Sequence, residues 1–465
     1  MTLVRAVAAA VLVAGSAIAA EPPRPNILLI VADDLGWSDV GWHGGFGKTP
    51  HMDRLVREGV ELDRHYVQPV CTPTRAALLT GRYPGRFGPH AIAPSNRRAL
   101  PPGTATLATV LRQAGYATFQ VGKWHLGSRP EWGPNHYGFE HSYGTLTGAA
   151  DPWTHKYRRG PYEDTWHRDG VRLDEDGNAT ELVAAEAVRR IREGAALADK
   201  AGGRKPWFLS VAFHAVHTPV DAPEACKRLY AGVRFDADPA KHDSRLRLAA
   251  MVSQLDAKIG EFVAALDETG QRDDTLLIFT SDNGGVESLE NAYVGDVPDS
   301  PLNSENAPLR GQKNTLWEGG VRVCAFASWP GTLAPRKCAA VIHAADWFPT
   351  LAGLLEREQG QSLGWDGIDR WTAITGAGDA ARPKPLCIVH GSGRAVYESD
   401  RGRDWKLIVR KKGGAELYDL AADPFEKRDR AADEPAVAER LAAVASADAA
   451  RDVTDLPADL RDAPH

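Results

Sequence analysis

Acidic and amide side chains follow two strongly apolar segments of the chain. Asp33 and Asp34 directly follow the first segment, and Asp282 and Asn283 come at the end of the second. Each segment predicts a buried parallel strand, and open α/β sheets place their functional sites beyond the carboxyl ends of such strands. Carboxylate and amide oxygens without a His or Cys cluster predict a site for a hard cation, Ca²⁺ or Mg²⁺. Either pair alone would also fit the N-caps of helices that follow strands.

The segment 70–82 predicts a short helix with a cysteine at its start. Pro73 suits a first helical position and Gly81 suits a C-terminal cap. Cys71 would therefore lie at the positive end of the helix dipole, with Arg75 one turn further on. Such a position acidifies a thiol or holds an anion. A buried structural cysteine beside a surface arginine is the alternative interpretation.

Basic side chains follow other predicted strands. Lys123 and His125 are spaced i, i+2, so an extended segment would point both to one side, where they could hold an anion. His217 precedes Pro219 after a further strand, and Lys313 lies in a glycine-rich turn. Taken singly, these residues would fit a surface lysine or a structural histidine at least as well.

The elements that must position these side chains alternate between strands and helices. Apolar runs at 207–213 and 275–280 predict strands, and 244–267 predicts the longest amphipathic helix. This alternation predicts an α/β fold with a large, mostly parallel sheet sandwiched by helices. Residues 128–178 have weak periodicity and many aromatic side chains, which predicts a long irregular excursion.

The C-terminal part of the chain has a different pattern. Residues 359–385 are rich in Gly, Pro and polar types and predict a linker. Four short strands within 386–419 and a helix near 434–447 predict a smaller α+β domain with an antiparallel sheet. We therefore expect a catalytic domain over 21–375 and a C-terminal subdomain over 376–465.

Composition and the N-terminus limit the class of protein. The 465 residues are 43% hydrophobic, enough for a sizeable core, and the net charge of −6 argues against nucleic-acid binding. Residues 1–20 predict a cleavable signal peptide whose apolar run is too short for a membrane anchor. We therefore expect a periplasmic or secreted protein. Among the five cysteines, Cys324 and Cys338 could form a disulfide, a question the sequence leaves open.

The segment Cys71-Thr72-Pro73-Thr74-Arg75, followed by Thr80-Gly81-Arg82, resembles the signature of the type I, formylglycine-dependent sulfatases of the alkaline phosphatase superfamily. It departs at Thr74, where that family usually has serine, but threonine keeps the hydroxyl. The resemblance runs in family order over 24–330, is closer to the arylsulfatase B (N-acetylgalactosamine-4-sulfatase) branch, and extends to 416–420. The other matching motifs are Asp33-Asp34-Leu35-Gly36, Gly122-Lys123-Trp124-His125-Leu126-Gly127, His217-Thr218-Pro219, Ser281-Asp282-Asn283-Gly284 and Lys313 with Glu318-Gly319-Gly320.

This resemblance implies a modified nucleophile and a metal. A formylglycine-generating maturation enzyme would oxidise Cys71 to 3-oxoalanine (formylglycine), whose hydrated aldehyde attacks sulfur. Asp33, Asp34, Asp282 and Asn283 would ligate Ca²⁺ together with the modified residue 71. Asp282 would also act as the base that activates the nucleophile.

Roles for the basic residues are implied in the same way. His217 and Lys313 would protonate or stabilise the departing alkoxide, and His125 would deprotonate the second hydroxyl of the hydrate. Lys123 and Arg75 would hold the nucleophile and the sulfate. Lys123, His217 and Lys313 are therefore also expected to contact the substrate.

The expected substrate is a sulfated carbohydrate. Export favours it, and the loops 128–168 and 286–308 emerge near the motifs, where they would build the pocket. Trp153, His155 and Trp166 could stack on a sugar or could be packing anchors. The alternatives are a phosphoester or phosphonate hydrolase of the same superfamily and a non-catalytic, secreted sugar-binding protein.

Overall fold

A computed structural model of the protein describes residues 24–157, 161–198, 202–287, 302–355, 364–378, 381–400, 402–411 and 414–463. The predicted signal peptide and most of the predicted loop 286–308 lie outside these ranges. Within them, no helix combines the length and the apolar character needed to cross a bilayer.

The described residues form the strands β1 (Asn26–Ala32), β2 (Val60–Leu62), β3 (His65–Tyr66), β4 (Ala117–Gly122), β5 (His141–Thr145), β6 (Trp166–Arg168), β7 (Val171–Arg172), β8 (Trp207–Ala212), β9 (Thr275–Ser281), β10 (Arg322–Val323), β11 (Ala325–Ser328), β12 (Arg336–Cys338), β13 (Ile342–His343), β14 (Leu386–His390), β15 (Gly393–Asp400), β16 (Arg403–Val409) and β17 (Ala415–Asp419).

The α-helices in the same part of the chain are α1 (Pro50–Glu58), α2 (Cys71–Thr80), α3 (Pro89–Ile92), α4 (Leu107–Gln113), α5 (Ala179–Ala195), α6 (Glu224–Arg228), α7 (Pro239–Glu268), α8 (Glu318–Val321), α9 (Trp347–Gly353), α10 (Trp371–Thr375) and α11 (Pro435–Ala449).

A 10-stranded sheet in the order β12-β2-β11-β9-β1-β8-β4-β5-β6-β7 forms the centre of the molecule. Strand β1 pairs in parallel with β8 and β9, and β4 pairs in parallel with β8 and β5. Antiparallel pairs occur further out, where β11 joins β9 to β2 and where β6 follows β5. The predicted large, mostly parallel sheet is therefore confirmed.

Two hydrophobic cores cover the two faces of this sheet. Ile27 and Leu29 of β1 pack in one core with α2, α4 and α9, whereas Leu28 and Ile30 pack in the other with α1, α5 and α7. Successive side chains of a strand point to opposite faces, so a strand that is buried on both sides must be apolar at every position. This requirement explains the unbroken apolar run that predicted β1.

The C-terminal strands β14 to β17 form a separate antiparallel sheet of four strands, and α11 packs over it through Leu441 and Ala445. The predicted small domain is thus confirmed, and its strands and helix lie within about two residues of the predicted positions. Tyr66 and Leu316 from the large domain belong to the same core. The boundary between residues 375 and 376 stays a prediction.

Two predictions about irregular segments are correct only in part. The segment 128–178 contributes β5, β6 and β7, which extend the large sheet; these short edge strands carry too little alternation to be recognised. The described part of 359–385 is not a free linker, since it contains α10 and its Asp366 is buried against Arg86, with Nη2 and Oδ1 3.2 Å apart.

Cys324 and Cys338 do not form a disulfide, and both are free thiols. Cys324 lies in the hydrophobic core on one face of the large sheet, and Cys338 lies in the core on the opposite face. The sheet itself separates the two sulfur atoms, and the spacing along the chain does not reveal this separation.

Candidate active site

The acidic side chains predicted from the sequence meet at one edge of the large sheet. Strands β1 and β9 are parallel neighbours in register, with Ala32 opposite Ser281, so the residues that follow them are adjacent. We call Asp33, Asp34, Asp282 and Asn283 the acidic centre; all four are buried. Within it, the Asn283 Nδ2 donates a hydrogen bond of 2.7 Å to Asp34 Oδ1.

The donor atoms of the acidic centre fit a hard divalent cation. Asp33 Oδ1 and Asn283 Oδ1 are buried, yet neither accepts a hydrogen bond from a described residue. One ligand atom each from Asp33, Asp282 and Cys71 lie within 4.8 Å of one another. Burial and the neighbouring Asp282 raise the pKa of Asp33 to about 8. A cation would stabilise the ionised carboxylate and bind the unpartnered oxygens.

Two lysines contact this centre, Lys123 fully buried and Lys313 with 11% of its side chain exposed. Lys123 Nζ lies 2.5 Å from Asp33 Oδ2, and Lys313 Nζ lies 2.6 Å from Asp34 Oδ1. Burial acts to raise the pKa of Asp34, but Lys313 and His217 outweigh it and hold that pKa below its usual range. Each ammonium group therefore neutralises one carboxylate, and its other N–H groups lie close to helix α2, which begins at Cys71.

Helix α2 places Cys71 at its N-terminus and ends at Gly81, whose φ of 68° is the left-handed conformation that favours glycine. The helix begins two residues before the predicted start at Pro73. Burial raises the pKa of the Cys71 thiol, although Lys123 and Lys313 act to lower it. The unmodified thiol is therefore not acidified, because desolvation outweighs the nearby cations. The alternative expectation for this position, a bound anion, stays a prediction.

Arg75 connects the helix to the acidic centre. Its Nε and Nη2 donate hydrogen bonds of 3.1 and 2.8 Å to Asp282 Oδ2, and its Nη1 donates one of 2.9 Å to the Lys123 carbonyl oxygen. Arg75 is buried, so the interpretation as a surface arginine does not hold. It orients Asp282 and the segment that carries Lys123.

Thr74 holds the turn that precedes the cysteine. Its buried Oγ1 accepts a hydrogen bond of 3.0 Å from the Gln68 backbone N–H and lies 3.2 Å from the Val70 carbonyl oxygen. A serine hydroxyl could make the same contacts. The departure from the family signature at this position therefore keeps the hydrogen bonds and adds one buried methyl group.

His125 and His217 both lie near the basic groups of the site. The backbone at His125 has φ of 55°, so the segment is not extended there as predicted, but burial followed by Lys123 and Arg75 lowers the pKa of His125 well below its usual value. His217 Nδ1 lies 2.6 Å from the Thr218 carbonyl oxygen, an acceptor, which assigns the proton to Nδ1. Its Nε2 lies 3.6 Å from an Asp34 oxygen.

His214 is a site residue that the sequence analysis missed. Its Nε2 lies 2.6 Å from Thr145 Oγ1, and its buried Nδ1 has no hydrogen-bond partner among the described residues. Burial, then Lys123 and Arg75, lower its pKa well below the usual value, which places it beside the same basic groups. The sequence offered one signal for this residue, namely its position three residues before His217 and after the same strand.

A close contact between two loops positions Lys313. A Cβ atom on Gly284 would lie 1.8 Å from the Gly319 carbonyl oxygen, so only glycine allows these backbones to approach. The Gly284 N–H donates to Gly320 O at 3.1 Å, and the Lys313 N–H donates to Gly285 O at 3.1 Å. The glycines of this turn are therefore required by the close packing of the two backbone segments.

The aromatic residues predicted to bind sugar differ in exposure. His155 is buried, stacks on Trp166 with ring centroids 4.3 Å apart, and its Nε2 lies 2.9 Å from Gly177 O. Stacking of a sugar on His155 or Trp166 does not fit this burial, and both are packing anchors. Trp153 is 43% exposed, and its Nε1 donates to Asp221 at 3.0 Å. Its role in substrate binding stays a prediction.

A buried cysteine at a helix N-terminus, a centre of hard oxygen ligands and flanking lysines define a hydrolase of anionic esters, built on an alkaline phosphatase-like fold. The chain belongs to the sulfatase family, whose family model matches residues 25–356. Members of this family hydrolyse sulfuric esters, and the chain is accordingly a sulfatase.

Curated relatives agree with this assignment. The chain is 32% identical to arylsulfatase J of Mus musculus, over 90% of this chain and 74% of that protein. It is 33% identical to arylsulfatase A of Homo sapiens, over 80% and 71% of the two chains. It is 31% identical to N-acetylgalactosamine-6-sulfatase of Canis lupus familiaris, over 80% and 70%.

Solved structures share the architecture. The chain superposes on Ps i-CgsB in complex with k-i-k-neocarrahexaose with a TM-score of 0.80 and 27% identity, over 92% of this chain and 94% of that one. A phosphonate monoester hydrolase from Silicibacter pomeroyi has a TM-score of 0.63 at 18% identity, a likeness of fold alone.

Proposed function

We propose that this sulfatase is exported, depends on Ca²⁺ and on conversion of Cys71 to formylglycine, and removes sulfate from a carbohydrate. The observation that carries the proposal is the meeting of Cys71 with Asp33 and Asp282, whose ligand atoms lie within 4.8 Å of one another. This arrangement would bring the nucleophile of residue 71 into the same small volume as the metal ligands.

Asp33, Asp34, Asp282, Asn283 and the modified residue 71 would hold Ca²⁺. When bound, the ion would draw negative charge from the sulfuryl oxygens as it builds up during cleavage. Two ammonium groups already pair with Asp33 and Asp34, which supports one divalent cation and favours a sulfatase over a two-metal phosphoester hydrolase.

Asp282 and the basic residues would transfer protons and stabilise negative charge during the reaction. Asp282 would accept the proton of the attacking hydroxyl of residue 71, while Arg75 keeps this carboxylate in place. His217 Nε2 and Lys313 Nζ would protonate or stabilise the leaving oxygen. His125 would take the proton of the second hydroxyl. Its buried Nδ1 has no hydrogen-bond partner among the described residues. Lys123 Nζ would hold the nucleophile and a sulfuryl oxygen.

Similar proteins support a carbohydrate as the leaving group. One similar solved structure contains the oligosaccharide k-i-k-neocarrahexaose, and one relative is an N-acetylgalactosamine-6-sulfatase. The predicted signal peptide over 1–20 supports export to a periplasm or the medium, where polysaccharides are degraded. The exposed ring of Trp153 offers an aromatic face of the kind that binds sugars.

Mass spectrometry of the tryptic peptide 65–75 tests the modified nucleophile, with the chain expressed beside a formylglycine-generating enzyme. We expect the aldehyde or its hydrate at residue 71 in active enzyme and complete loss of turnover in Cys71→Ala. An unmodified thiol in fully active protein would refute the mechanism.

Turnover of matched esters tests the reaction and the substrate class. Aryl sulfate and aryl phosphate are compared with and without a chelator, beside a panel of sulfated mono- and oligosaccharides. We expect chelator-sensitive sulfate release, with the highest kcat/KM on a saccharide. Faster phosphate release, or a simple aryl or choline sulfate preferred over every sugar, would contradict the proposal.

A further inference from the structure

A cavity of about 490 Å³ lies between the loop that carries Lys313 and the C-terminal sheet. Asn314 and Trp317 line it from the large domain, and His390, Arg410 and Lys411 line it from the ends of β14 and β16. We call this cavity the interdomain cleft. None of its described lining residues belongs to the acidic centre.

The cleft is adjacent to the reacting group in the fold. Asn314 directly follows Lys313, whose Nζ bonds to Asp34, and the Asn314 N–H donates to the Pro69 carbonyl oxygen at 3.0 Å. Pro69 lies two residues before Cys71. One wall of the cleft is therefore continuous with both the lysine expected at the leaving oxygen and the segment that leads to the nucleophile.

The lining of the cleft is suited to an anion. Lys411 and Arg410 line the cleft, and none of the described lining residues is acidic, although the chain as a whole has a net charge of −6. The Arg410 guanidinium is paired with the Glu416 carboxylate, whereas Lys411 has no ion pair among the described residues and supplies the available positive charge. Lys411 is exposed, and the guanidinium of Arg410 lies 5.0 Å from the ring centroid of Trp317. Local charge of one sign in a concave site attracts ligands of the opposite sign.

Neutral polar groups beside these cations fit the rest of a sugar. The buried Nδ1 of His390 has no hydrogen-bond partner among the described residues, and Asn314 is exposed at the rim. An amide and an imidazole can bind hydroxyl groups. An anionic sugar unit matches this combination better than an apolar aryl group does.

We infer that the interdomain cleft binds a second anionic sugar unit of the substrate, carrying sulfate or carboxylate, next to the unit whose sulfate ester is cleaved. This inference rests on the proposed carbohydrate specificity and adds Lys411 as a specificity-determining residue. The C-terminal sheet then takes part in substrate selection, and oligosaccharides with adjacent charges are preferred over those with one.

Charge reversal at the cleft tests the inference, with Lys411→Glu compared against Lys427→Glu. Lys427 is exposed, lies in the same C-terminal part and does not line the cleft, so it controls for the change in net charge. The substrates are an aryl sulfate and sulfated disaccharides whose second unit carries sulfate, carboxylate or no charge. Steady-state kinetics at low and high salt give KM and kcat separately.

For Lys411→Glu we expect KM on the two charged disaccharides to rise by about tenfold at low salt, the scale of one lost and reversed charge contact. The difference should shrink at high salt because ions screen exposed charges. Turnover of the aryl sulfate and of the disaccharide with a neutral second unit should match that of Lys427→Glu. A larger effect on the sulfated or on the carboxylated disaccharide identifies the group that the cleft binds.

Equal KM changes for Lys411→Glu and Lys427→Glu on the charged disaccharides would overturn the inference that the cleft binds an anionic sugar unit. The sulfatase proposal would stay intact. Wild-type enzyme that cleaves the aryl sulfate but no disaccharide would overturn both the carbohydrate specificity and the cleft. Wild-type preference for the disaccharide with a neutral second unit would overturn the inference about the interdomain cleft and leave the carbohydrate specificity intact.

Discussion

The segment 313–318 contributes a residue to each of two clusters of opposite charges, Lys313 to the first and Glu318 to the second. One is the acidic centre with its lysines. The other, which we call the interdomain cluster, consists of Lys406, Glu318 and Glu426, with Lys406 Nζ 2.9 Å from Glu318 Oε1 and 2.6 Å from Glu426 Oε1. Both clusters are removed from solvent, so burial and charge alone do not distinguish them.

The clusters differ in whether their oxygens have partners. Glu318 Oε1 accepts from Tyr397 at 3.0 Å and Oε2 accepts from Tyr66 at 2.9 Å, so both oxygens of this carboxylate are bonded within the protein. In the acidic centre, Asp33 Oδ1 and Asn283 Oδ1 have no such donors among the described residues. Buried polar atoms are normally paired.

Glu426 Oε1 also makes no hydrogen bond to a described residue, but it lies 2.6 Å from the Lys406 ammonium and is paired by charge. The two unpartnered oxygens of the acidic centre therefore support the proposed metal site, whereas the charges of the interdomain cluster are paired within the protein and hold two domains together.

The largest difference between the clusters is expected on removal of one carboxylate charge. Asp33→Asn should lose bound Ca²⁺ and lower kcat by at least about 10³-fold, since a metal ligand and its charge are lost together. Glu318→Gln, its counterpart in the interdomain cluster, should keep the metal. Elemental analysis of both proteins beside aryl sulfate kinetics makes the comparison. Retention of stoichiometric metal in Asp33→Asn would remove this residue from the ligand set.

The lysines provide the second comparison. Lys313→Ala should lower kcat by roughly 10²–10³-fold, the usual scale for one preorganised donor to a developing charge. The measurement is turnover of an aryl sulfate by protein with confirmed formylglycine content, so that incomplete modification is not mistaken for lost catalysis. A rate near that of the wild type would exclude Lys313 from the reaction.

In the interdomain cluster, loss of the lysine should act on stability. Lys406→Met leaves Glu318 and Glu426 buried beside each other without their shared cation, and should lower the free energy of unfolding by about 3–5 kcal/mol. The turnover of the folded fraction should change far less than in Lys313→Ala. Denaturation followed by Trp fluorescence tests this, with the exposed Lys337→Met as the control. An unchanged unfolding midpoint would contradict the structural role.

The smallest effect on stability is expected from substitutions of Thr74, whose hydroxyl makes neutral hydrogen bonds beside the acidic centre. Thr74→Ser keeps the hydroxyl and removes one methyl group, so the free energy of unfolding should change by at most about 1 kcal/mol. Thr74→Val keeps the shape but leaves the Gln68 N–H without its acceptor, which should cost about 1–3 kcal/mol. Thermal unfolding of both variants measures the difference. Equal losses would mean that the hydroxyl contributes nothing to the turn.

Local patterns in the sequence determined the parts of this protein that depend on neighbours along the chain. The apolar run of β1 predicted a strand buried on both faces, and the polar residues that end β1 and β9 predicted the acidic centre. The segment from Cys71 to Arg75 predicted the helix and identified the family. The C-terminal strands were also predictable from the sequence, because a hairpin pairs segments that are close in sequence.

Only the tertiary structure decided contacts that depend on the order of strands in the sheet. It separated Cys324 from Cys338 by placing them on opposite faces, and it buried His155 against Trp166. It also brought Lys406 to Glu318, 88 residues away in the chain. Such pairings follow from the three-dimensional path of the backbone, and neither residue spacing nor local periodicity encodes them. The same physical reason places His214 beside Thr145 at the site, where no motif indicated a partner.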